Sequence, residues 1–265
     1  MADPDPDDLL RIGHLLADAA ARETLALFRA GIAADNKDAA GFDPVTEADR
    51  AAERAMREVL AELRPDDGIL GEEEADVEGR SGWTWVLDPI DGTRAFLAGA
   101  PTWGTLIACG PTGESPVIGI VDQPHIGERF AGAPGEARLS GRFERALRTR
   151  TVSSLADAIL FTTMPEVGAP TEGAAFRAVS ERVLLTRYGL DCYAYALVAM
   201  GQADLVIEAG LKPYDIQAPL ALIEAAGGIV TDWTGGPAFA GGRVVAAGCR
   251  EVHEAALRIL SRTGA

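Results

Sequence analysis

The 265-residue chain carries 40 acidic side chains against 24 lysines and arginines, so its formal net charge at pH 7 is −16. That charge argues against nucleic acid or an anionic membrane as the main partner. A hydrophobic content of 48% is sufficient for one large domain or for two closely packed lobes.

The cysteines lie far apart in the chain, at Cys109, Cys192 and Cys249. This spacing favours neither a disulfide framework nor a zinc site. The first ten residues are acidic, whereas a signal peptide begins with basic residues, and no apolar run approaches the ~18 residues of a membrane span. The sequence therefore predicts a cytoplasmic protein whose residues 2–8 form a frayed tail.

Two amphipathic helices are predicted before the first β-prone segment. The first spans residues 9–30, where apolar side chains recur at helical spacing. The second has Thr46 as its N-cap and ends before Pro65. Glu53 and Arg57 are four residues apart in this helix, which favours an ion pair between them.

Short β-prone runs follow, separated by glycine and proline, at residues 68–70, 83–87, 103–108 and 117–122. They predict a largely antiparallel sheet. From about residue 151 the pattern changes to strands alternating with helices, which is typical of an α/β lobe. The predicted strands there are 159–162, 184–187, 205–208, 229–233 and 244–247, and the helices are 172–183, 191–200, 215–226 and one from 251.

The chain is therefore interpreted as α/β with two lobes. Residues 1–147 form an α+β lobe with the antiparallel sheet, two long helices and most of the candidate metal ligands. Residues 148–265 form an α/β lobe that carries the substrate-selecting residues and Asp215.

The segment WTWVLDPIDGTRAFL at residues 83–97 is the most informative in the chain. Its alternating apolar side chains predict a strand, with Asp88 at the carboxyl end. Pro89 restricts the conformation of Asp88 and is expected to end the strand in a turn.

A helix is predicted to begin directly after this turn. Asp91 is placed to cap a helix that begins at Gly92 and Thr93. The free N–H groups at such a helix start attract a phosphate. Carboxylate oxygens beside them suit Mg²⁺, which commonly binds a few carboxylates together with substrate phosphate.

Further acids stand at the ends of other elements. Glu72 follows the run at residues 69–70, so its side chain can face a cleft at the end of a strand. Asp215 is interpreted as the N-cap of a long helix. Asp49 lies in the first turn behind Thr46, where acids complement the helix dipole.

Together these motifs resemble the inositol monophosphatase superfamily of metal-dependent phosphatases over nearly the whole chain. The motifs are VTEAD at 45–49, GEE at 71–73, WVLDPIDGT at 85–93 and YD at 214–215 before a helix ending in AAGG at 225–228. Three further stretches look most like the histidinol-phosphatase branch: RAF at 94–96, RYGLDCYAY at 187–195 and GLKPYDI at 210–216.

The resemblance implies an αβαβα layered sandwich, a homodimer and two or three Mg²⁺ ions per active site. The residues that it assigns as ligands are Glu72, Asp88, Asp91, Asp215 and the carbonyl of Ile90. Asp49 would lie at the edge of the metal site, among the residues that bind substrate. Inositol-specific members usually carry Trp and Asn where this chain has Tyr214 and Arg94, which puts inositol as the substrate in doubt.

Hydrolysis of a phosphate monoester requires large electrostatic and positional contributions. Divalent ions can bind the attacking and leaving oxygens and lower the pKa of a bound water. Glu72 and the Thr93 hydroxyl are expected to orient that water, while the amides of Gly92 and Thr93 hold the phosphate oxygens.

The substrate must be selected by the second lobe. Histidinol phosphate carries an ammonium group and an imidazole, for which Asp191 and Glu208 are candidate acidic partners. Arg187 could orient an acid or approach the phosphate. The alternatives are that Asp191 is only a helix N-cap and Glu208 only a surface acid at a strand end.

The leading hypothesis is a phosphatase for the small-molecule ester L-histidinol phosphate, in histidine biosynthesis. Inositol 1-phosphate or a related sugar phosphate is the alternative substrate, and adenosine 3′,5′-bisphosphate is disfavoured because no second basic pocket is evident. A non-enzymatic alternative is a regulator that binds a phosphometabolite. The full set of candidate ligands and water-orienting residues argues against it.

Overall fold

A computed structural model describes residues 3–31, 34–36 and 44–263 of the chain. Within these ranges no helix is both long enough and apolar enough to cross a membrane. The α-helices of the described residues are α1 Pro6–Leu27, α2 Glu47–Leu63, α3 Thr93–Ala98, α4 Pro170–Ser180, α5 Cys192–Ala199, α6 Pro213–Ala225 and α7 Arg250–Thr263.

The strands of the first half are β1 Ala34–Asn36, β2 Pro44–Thr46, β3 Gly68–Gly71, β4 Trp83–Asp91, β5 Gly104–Pro111, β6 Ile118–Gln123, β7 Glu128–Ala133, β8 Glu136–Gly141 and β9 Arg145–Ala146. Those of the second half are β10 Ile159–Thr162, β11 Leu185–Tyr188, β12 Leu205–Leu211, β13 Ile229–Asp232 and β14 Gly242–Ala247.

The strands form two large sheets. The first has seven strands in the order β3-β4-β5-β6-β7-β8-β9. All its neighbouring strands are antiparallel except β3 and β4, so the predicted antiparallel sheet is confirmed. The second has five strands in the order β11-β10-β12-β14-β13, with parallel pairs among β11, β10 and β12.

Helices cover both sheets and separate them. On one face of the large sheet, α1 and α2 pack through a cluster that includes Leu16, Met56 and Trp85. On its other face, α5 and α6 bury side chains such as Ile216 against both sheets. The outer face of the five-stranded sheet is covered by α4 and α7 around Phe176. This is the expected αβαβα order of layers.

The sequence located most elements but misplaced several ends. Thr46 caps α2 as predicted, and Glu53 and Arg57 form the expected ion pair at 2.8 Å. The predicted frayed tail was wrong for residues 6–8, because Asp5 accepts the N–H of Asp7 and α1 already begins at Pro6, while residue 2 lies outside the described residues.

The β7–β8 hairpin was missed. Its strands, separated by a turn at Gly135, contain several alanines and glycines, which have little intrinsic preference for strands. The seven-stranded sheet uses residues up to Ala146, and the five-stranded sheet begins at Ile159. The division into lobes at residues 147 and 148 stays a prediction, because side chains of both sheets share one core cluster.

The backbone of α6 lies directly against the large sheet at two glycines. A Cβ at Gly119 would lie 2.3 Å from the carbonyl oxygen of Ala218, and one at Gly132 would lie 2.7 Å from the Cα of Leu222. Since these neighbours are backbone atoms of a helix, they cannot rotate away. The position of α6, and of Asp215 in its first turn, therefore depends on these glycines.

We expect Gly119→Ala to destabilise the protein by about 1–3 kcal/mol, which lowers Tm by about 2–4 °C per kcal/mol. The cause is steric, because the added methyl group meets the backbone of α6. Thermal unfolding followed by circular dichroism measures this change. Ala146→Val, on an exposed strand position, is the control and should leave Tm within about 1 °C. An unchanged Tm in Gly119→Ala would contradict the close approach.

Candidate functional site

Three carboxylates from two elements converge between the sheets. Asp88 and Asp91 come from β4, and Asp215 comes from α6. Each offers one oxygen, and these oxygens all lie within 4.8 Å of one another. Hard oxygen ligands at this spacing suit a divalent cation such as Mg²⁺.

An irregularity in β4 brings two of these acids to the same side. Val86 of β4 faces the core shared with α6, and Asp88 follows it on the same face. In a regular strand Asp91, three residues on, would face the opposite side. The pairing with β5 shifts between Asp88 and Asp91, which reverses the alternation after Asp88. The prediction that the strand ends at Asp88 was therefore wrong, since β4 continues to Asp91.

Asp88 is the most buried of the three, with 1% of its surface exposed. Its Oδ1 has no hydrogen-bond partner among the described residues. Burial raises the pKa of Asp88 well above its ordinary value, and the charges of Glu72, Asp91 and Asp215 raise it further. A buried oxygen without a partner, surrounded by other acids, is the arrangement that a bound cation would satisfy.

Glu72 lies beside Asp88 because β3 and β4 are parallel and paired. Gly71 is paired with Leu87, so the residue that follows Gly71, Glu72, lies next to Asp88. The N–H of Glu72 donates to the carbonyl of Leu87 at 3.2 Å. Its side chain raises the pKa of Asp88 through its charge and through a hydrogen bond between the two carboxyl groups.

Asp91 does not cap α3 as predicted. Its Oδ2 accepts the backbone N–H of Cys192 at 2.6 Å, and so joins β4 to the first turn of α5. Burial raises the pKa of Asp91, and Asp191 and Asp215 add to this, while the hydrogen bonds from Cys192 act in the opposite direction.

Asp215 is also not the N-cap of its helix. Lys212 occupies that position, and Asp215, at the third helical position, accepts the N–H of Lys212 at 2.7 Å. This hydrogen bond fixes the start of α6 while leaving the carboxylate in the cluster with Asp88 and Asp91.

The turn after β4 places a hydroxyl and backbone amides at the edge of the cluster. Gly92 precedes α3 with φ +83°, a conformation that favours glycine. The Thr93 hydroxyl lies 3.2 Å from the Ile90 carbonyl and 3.4 Å from Asp49 Oδ1. Asp49 is fully buried and accepts the N–H and hydroxyl of Thr46 at 2.8 and 2.5 Å. The predicted residues of this turn are thus brought together.

A cavity of about 430 Å³ extends from this turn towards the five-stranded sheet. Asp91 and Asp215 line one end, and Asp191 and Glu208 line it as well. The structure does not bring the predicted Arg187 to this cavity. Arg187 is exposed on β11, at the edge of the sheet, and is not among the described lining residues.

Asp191 occupies the N-cap position of α5, but its side chain makes no capping hydrogen bond within the described residues. Its backbone has φ +49°, and its carboxylate packs on Gly92, where a Cβ would lie 2.9 Å from the Cγ of Asp191. Burial raises the pKa of Asp191, and Thr102 and Arg94 partly oppose this effect. The capping alternative is therefore not supported.

Glu208 is 7% exposed and lies within β12, so the interpretation as a surface acid at a strand end was wrong. Its Oε1 accepts the N–H and hydroxyl of Thr163 at 2.8 and 2.6 Å. Tyr195 donates to Oε2 at 3.2 Å. Burial raises the pKa of Glu208, against the lowering effect of these hydrogen bonds.

Some lining residues were not found from the sequence. Arg94, in the first turn of α3, lines the cavity. Burial raises the pKa of Asp191 most strongly, and the charge of Arg94 partly opposes this by lowering it. Its position directly after the glycine-threonine turn was the available signal. Thr163 and Met164 follow β10 and reach the cavity only because this strand lies next to β12.

Comparison with known proteins agrees with this geometry. The model of the inositol monophosphatase family matches residues 5–264. The chain is 40% identical to the bifunctional phosphatase IMPL2, chloroplastic, of Arabidopsis thaliana, over 98% of this chain and 77% of that protein. It is 35% identical to a histidinol-phosphatase of Streptomyces coelicolor, over 98% and 99%. An inositol monophosphatase structure from Zymomonas mobilis superimposes with a TM-score of 0.86 at 40% identity, over 98% and 100%.

In the metal-free protein we expect Asp88→Asn to raise Tm at pH 7 by roughly 2–4 °C, or about 1 kcal/mol. Because the pKa of Asp88 is raised, the folded protein keeps a proton on this carboxyl group at pH values where the unfolded chain has already released it. The free energy of unfolding therefore falls as the pH rises from the ordinary carboxyl pKa towards the raised pKa of Asp88. An asparagine does not ionise, so it avoids this loss of stability. Thermal unfolding in EDTA measures the change.

Asp232→Asn is the matched control, with the opposite sign. Burial raises the pKa of Asp232, but hydrogen bonds from Thr234 and Gly236 outweigh burial and lower it overall. This carboxylate stabilises the fold above its unfolded pKa, so its removal should lower Tm at pH 7. A lower Tm in Asp88→Asn would show that the carboxylates do not repel one another as the geometry requires.

Proposed function

The chain belongs to the inositol monophosphatase family of phosphatases, and we propose that it is a Mg²⁺-dependent phosphomonoesterase that hydrolyses L-histidinol phosphate to L-histidinol and phosphate. One observation carries this proposal. The cavity at the three-carboxylate cluster of Asp88, Asp91 and Asp215 is also lined by two further acids, the half-buried Asp191 and the buried Glu208. The three-carboxylate cluster is suited to binding metal ions and, through them, phosphate. The pair of acids Asp191 and Glu208 is suited to binding an alcohol that carries positive charge.

The residues present fit a divalent cation. The Oδ1 of Asp88, without a hydrogen-bond partner among the described residues, and the raised pKa values of Asp88 and Asp91 both support a cation at this cluster. We assign the ligands of two or three Mg²⁺ ions to Glu72, Asp88, Asp91, Asp215 and the carbonyl of Ile90. When bound, Mg²⁺ would stabilise charge on the phosphoryl oxygens and lower the pKa of a bound water.

The protein groups around this cluster are suited to orienting a water and a phosphate. Glu72, beside Asp88, accepts a proton from the attacking water, and the Thr93 hydroxyl positions it. Asp49 and the Ile90 carbonyl hold that hydroxyl in place. The amides of Gly92 and Thr93 donate to phosphate oxygens at the start of α3. Asp49 therefore belongs to the substrate side of the site through Thr93.

The second pair of acids favours a cationic leaving group. Histidinol carries an ammonium group and an imidazole, and either can donate hydrogen bonds to Asp191 or Glu208. Inositol has only hydroxyl groups and would leave both carboxylates without a countercharge from the substrate. The burial of these acids makes that difference large, because an unpaired buried charge is costly.

Inositol 1-phosphate remains the second candidate substrate, since the Zymomonas mobilis structure is named an inositol monophosphatase. A phosphometabolite-binding regulator is the non-enzymatic candidate. It would need the amides of the α3 turn but not Glu72 beside Asp88.

We also propose a cytoplasmic homodimer with a small-molecule ester, rather than nucleic acid or a membrane, as its partner. The cysteines are free and buried, as in a reducing compartment. Exposed apolar side chains at and beside the edge strand β11, Leu184, Leu185 and Tyr188, offer a surface for the second subunit.

Phosphate release from L-histidinol phosphate should require Mg²⁺ and stop in EDTA. Asp88→Asn should abolish the metal-dependent activity, because this carboxylate is central to the ligand set. Initial rates of phosphate release at saturating Mg²⁺ measure both effects. Asp232→Asn, away from the described cavity lining, is the folded control and should retain wild-type turnover below its Tm. Near wild-type turnover in Asp88→Asn would reject it as a ligand.

Substrate preference tests the second pair of acids. We expect kcat/KM for L-histidinol phosphate to exceed that for inositol 1-phosphate by ~100-fold, or roughly 2.7 kcal/mol. Asp191→Asn and Glu208→Gln should each lower the value for histidinol phosphate by ~10–100-fold and change that for inositol 1-phosphate by less than ~3-fold.

Arg187→Met is the matched comparison in this assay. Because Arg187 is exposed on β11, we expect its replacement to leave both kcat/KM values unchanged. A preference for inositol 1-phosphate in the wild-type protein would keep the metal site and reject the proposed substrate. No release from either ester, with intact metal binding, would favour the regulator.

A further inference from the structure

A buried ion pair outside the cavity holds the segment that carries Glu72. Glu53, in the middle of α2, is fully buried, and the side chain of Arg57 is 12% exposed. The Arg57 Nε donates to Glu53 Oε1 at 2.9 Å, and its Nη2 lies 2.8 Å from the same oxygen. A pair this buried contributes little net stability compared with apolar side chains of the same size, so its other contacts are informative.

Those contacts all lead to residues 72–75, which we call the 72–75 loop. The N–H of Glu73 donates to Glu53 Oε2 at 2.8 Å, and the N–H of Glu74 donates to Oε1 at 3.1 Å. Arg57 donates to the carbonyls of Ala75 and Glu74 at 3.1 and 3.2 Å. Together the two side chains bind four backbone groups of this loop.

The chain is tightly packed where the 72–75 loop begins, at the end of β3. A Cβ at Gly71 would lie 2.1 Å from Glu53 Oε1 and 2.6 Å from Arg57 Nη2, so the pair packs on the backbone immediately before Glu72. On its other side Glu72 donates its own N–H to the carbonyl of Leu87. Glu72 is thus held between the ion pair and the strand that carries Asp88.

Only a carboxylate can make this set of bonds. The groups facing Glu53 are all donors, two amides and a guanidinium, and an ionised carboxylate only accepts. A glutamine would turn its NH₂ group either towards Arg57 and the Glu74 amide or towards the Glu73 amide. At least one backbone amide of the loop, that of Glu73 or Glu74, would then be left without its acceptor.

We propose that Glu53, held by Arg57, is a positioning residue for the reaction: it fixes the 72–75 loop so that the Glu72 carboxylate faces Asp88. Glu53 is not itself in the carboxylate cluster, and both its oxygens are occupied by donors. The inference rests on the proposed function, in which Glu72 is a metal ligand and orients water. Its effect on metal binding can be measured without any turnover.

The first test is Glu53→Gln. Titration of the metal-free protein with Mg²⁺ in a calorimeter should show ~10–100-fold weaker binding, and kcat should fall by a similar factor. Both are measured well below the Tm of the variant. If Glu53→Gln does not fold, Arg57→Lys, which loses the fork to Ala75 and Glu74 but keeps the charge, should still weaken Mg²⁺ binding measurably.

Asp122→Asn is the matched control for stability alone. Asp122 forms a buried ion pair with Arg129 at 2.8 Å but holds no segment of the site. We expect it to lower Tm as Glu53→Gln does, while Mg²⁺ affinity and kcat stay within ~2-fold of wild type. Equal effects of the two variants on Mg²⁺ affinity would assign Glu53 a structural role and overturn the proposal.

A double-mutant cycle with Glu72→Gln tests whether Glu53 acts through Glu72. We expect Glu53→Gln to weaken Mg²⁺ binding no further once Glu72 is replaced. Additive losses would overturn the proposal, and so would unchanged Mg²⁺ affinity in Glu72→Gln. If the cycle is non-additive but no ester is hydrolysed, the positioning role is supported and the phosphatase function is what fails.

Discussion

Repulsion among buried carboxylates is the constraint on which the site depends. Asp88, Asp91 and Asp215 are held within 4.8 Å of one another, and Asp88 has an oxygen without a partner among the described residues. Burial and mutual charge raise the pKa values of Asp88 and Asp91. The free energy for keeping such a cluster together must come from the surrounding fold, and a cation of high charge is the natural means of relieving it.

The fold opposes this repulsion with backbone contacts that hold the acids around Asp88 in place. Asp91 is held by the N–H of Cys192, and Asp215 by that of Lys212. Glu72 is held through the 72–75 loop by Glu53. Since the acids sit on β4, on α6 and directly after β3, the cluster cannot relax by rotation of one side chain alone. This preorganisation is what a metal-dependent phosphatase requires.

The layered arrangement brings residues from both halves of the chain to one cavity. The β4–α3 turn contributes Gly92 and Thr93, while β12 and the start of α5 contribute Glu208 and Asp191. Gly92 permits the close packing of Asp191, so the β4–α3 turn and the start of α5 are in direct contact. A change of substrate preference within this family can therefore arise in the second half of the chain without disturbing the carboxylate cluster.

The sequence by itself determined the order of most helices and strands, the candidate acids, and Thr46 as the cap of α2, because these follow from local periodicity and motif chemistry. Only the tertiary structure decided which of those acids meet. The irregularity that turns Asp91 depends on the pairing of β4 with β5, and the exposure of Arg187 on the position of β11 at a sheet edge. The bond from Cys192 joins residues 101 positions apart in the chain. Local sequence carries no record of such pairing, since it is stabilised by packing between layers rather than by neighbouring residues.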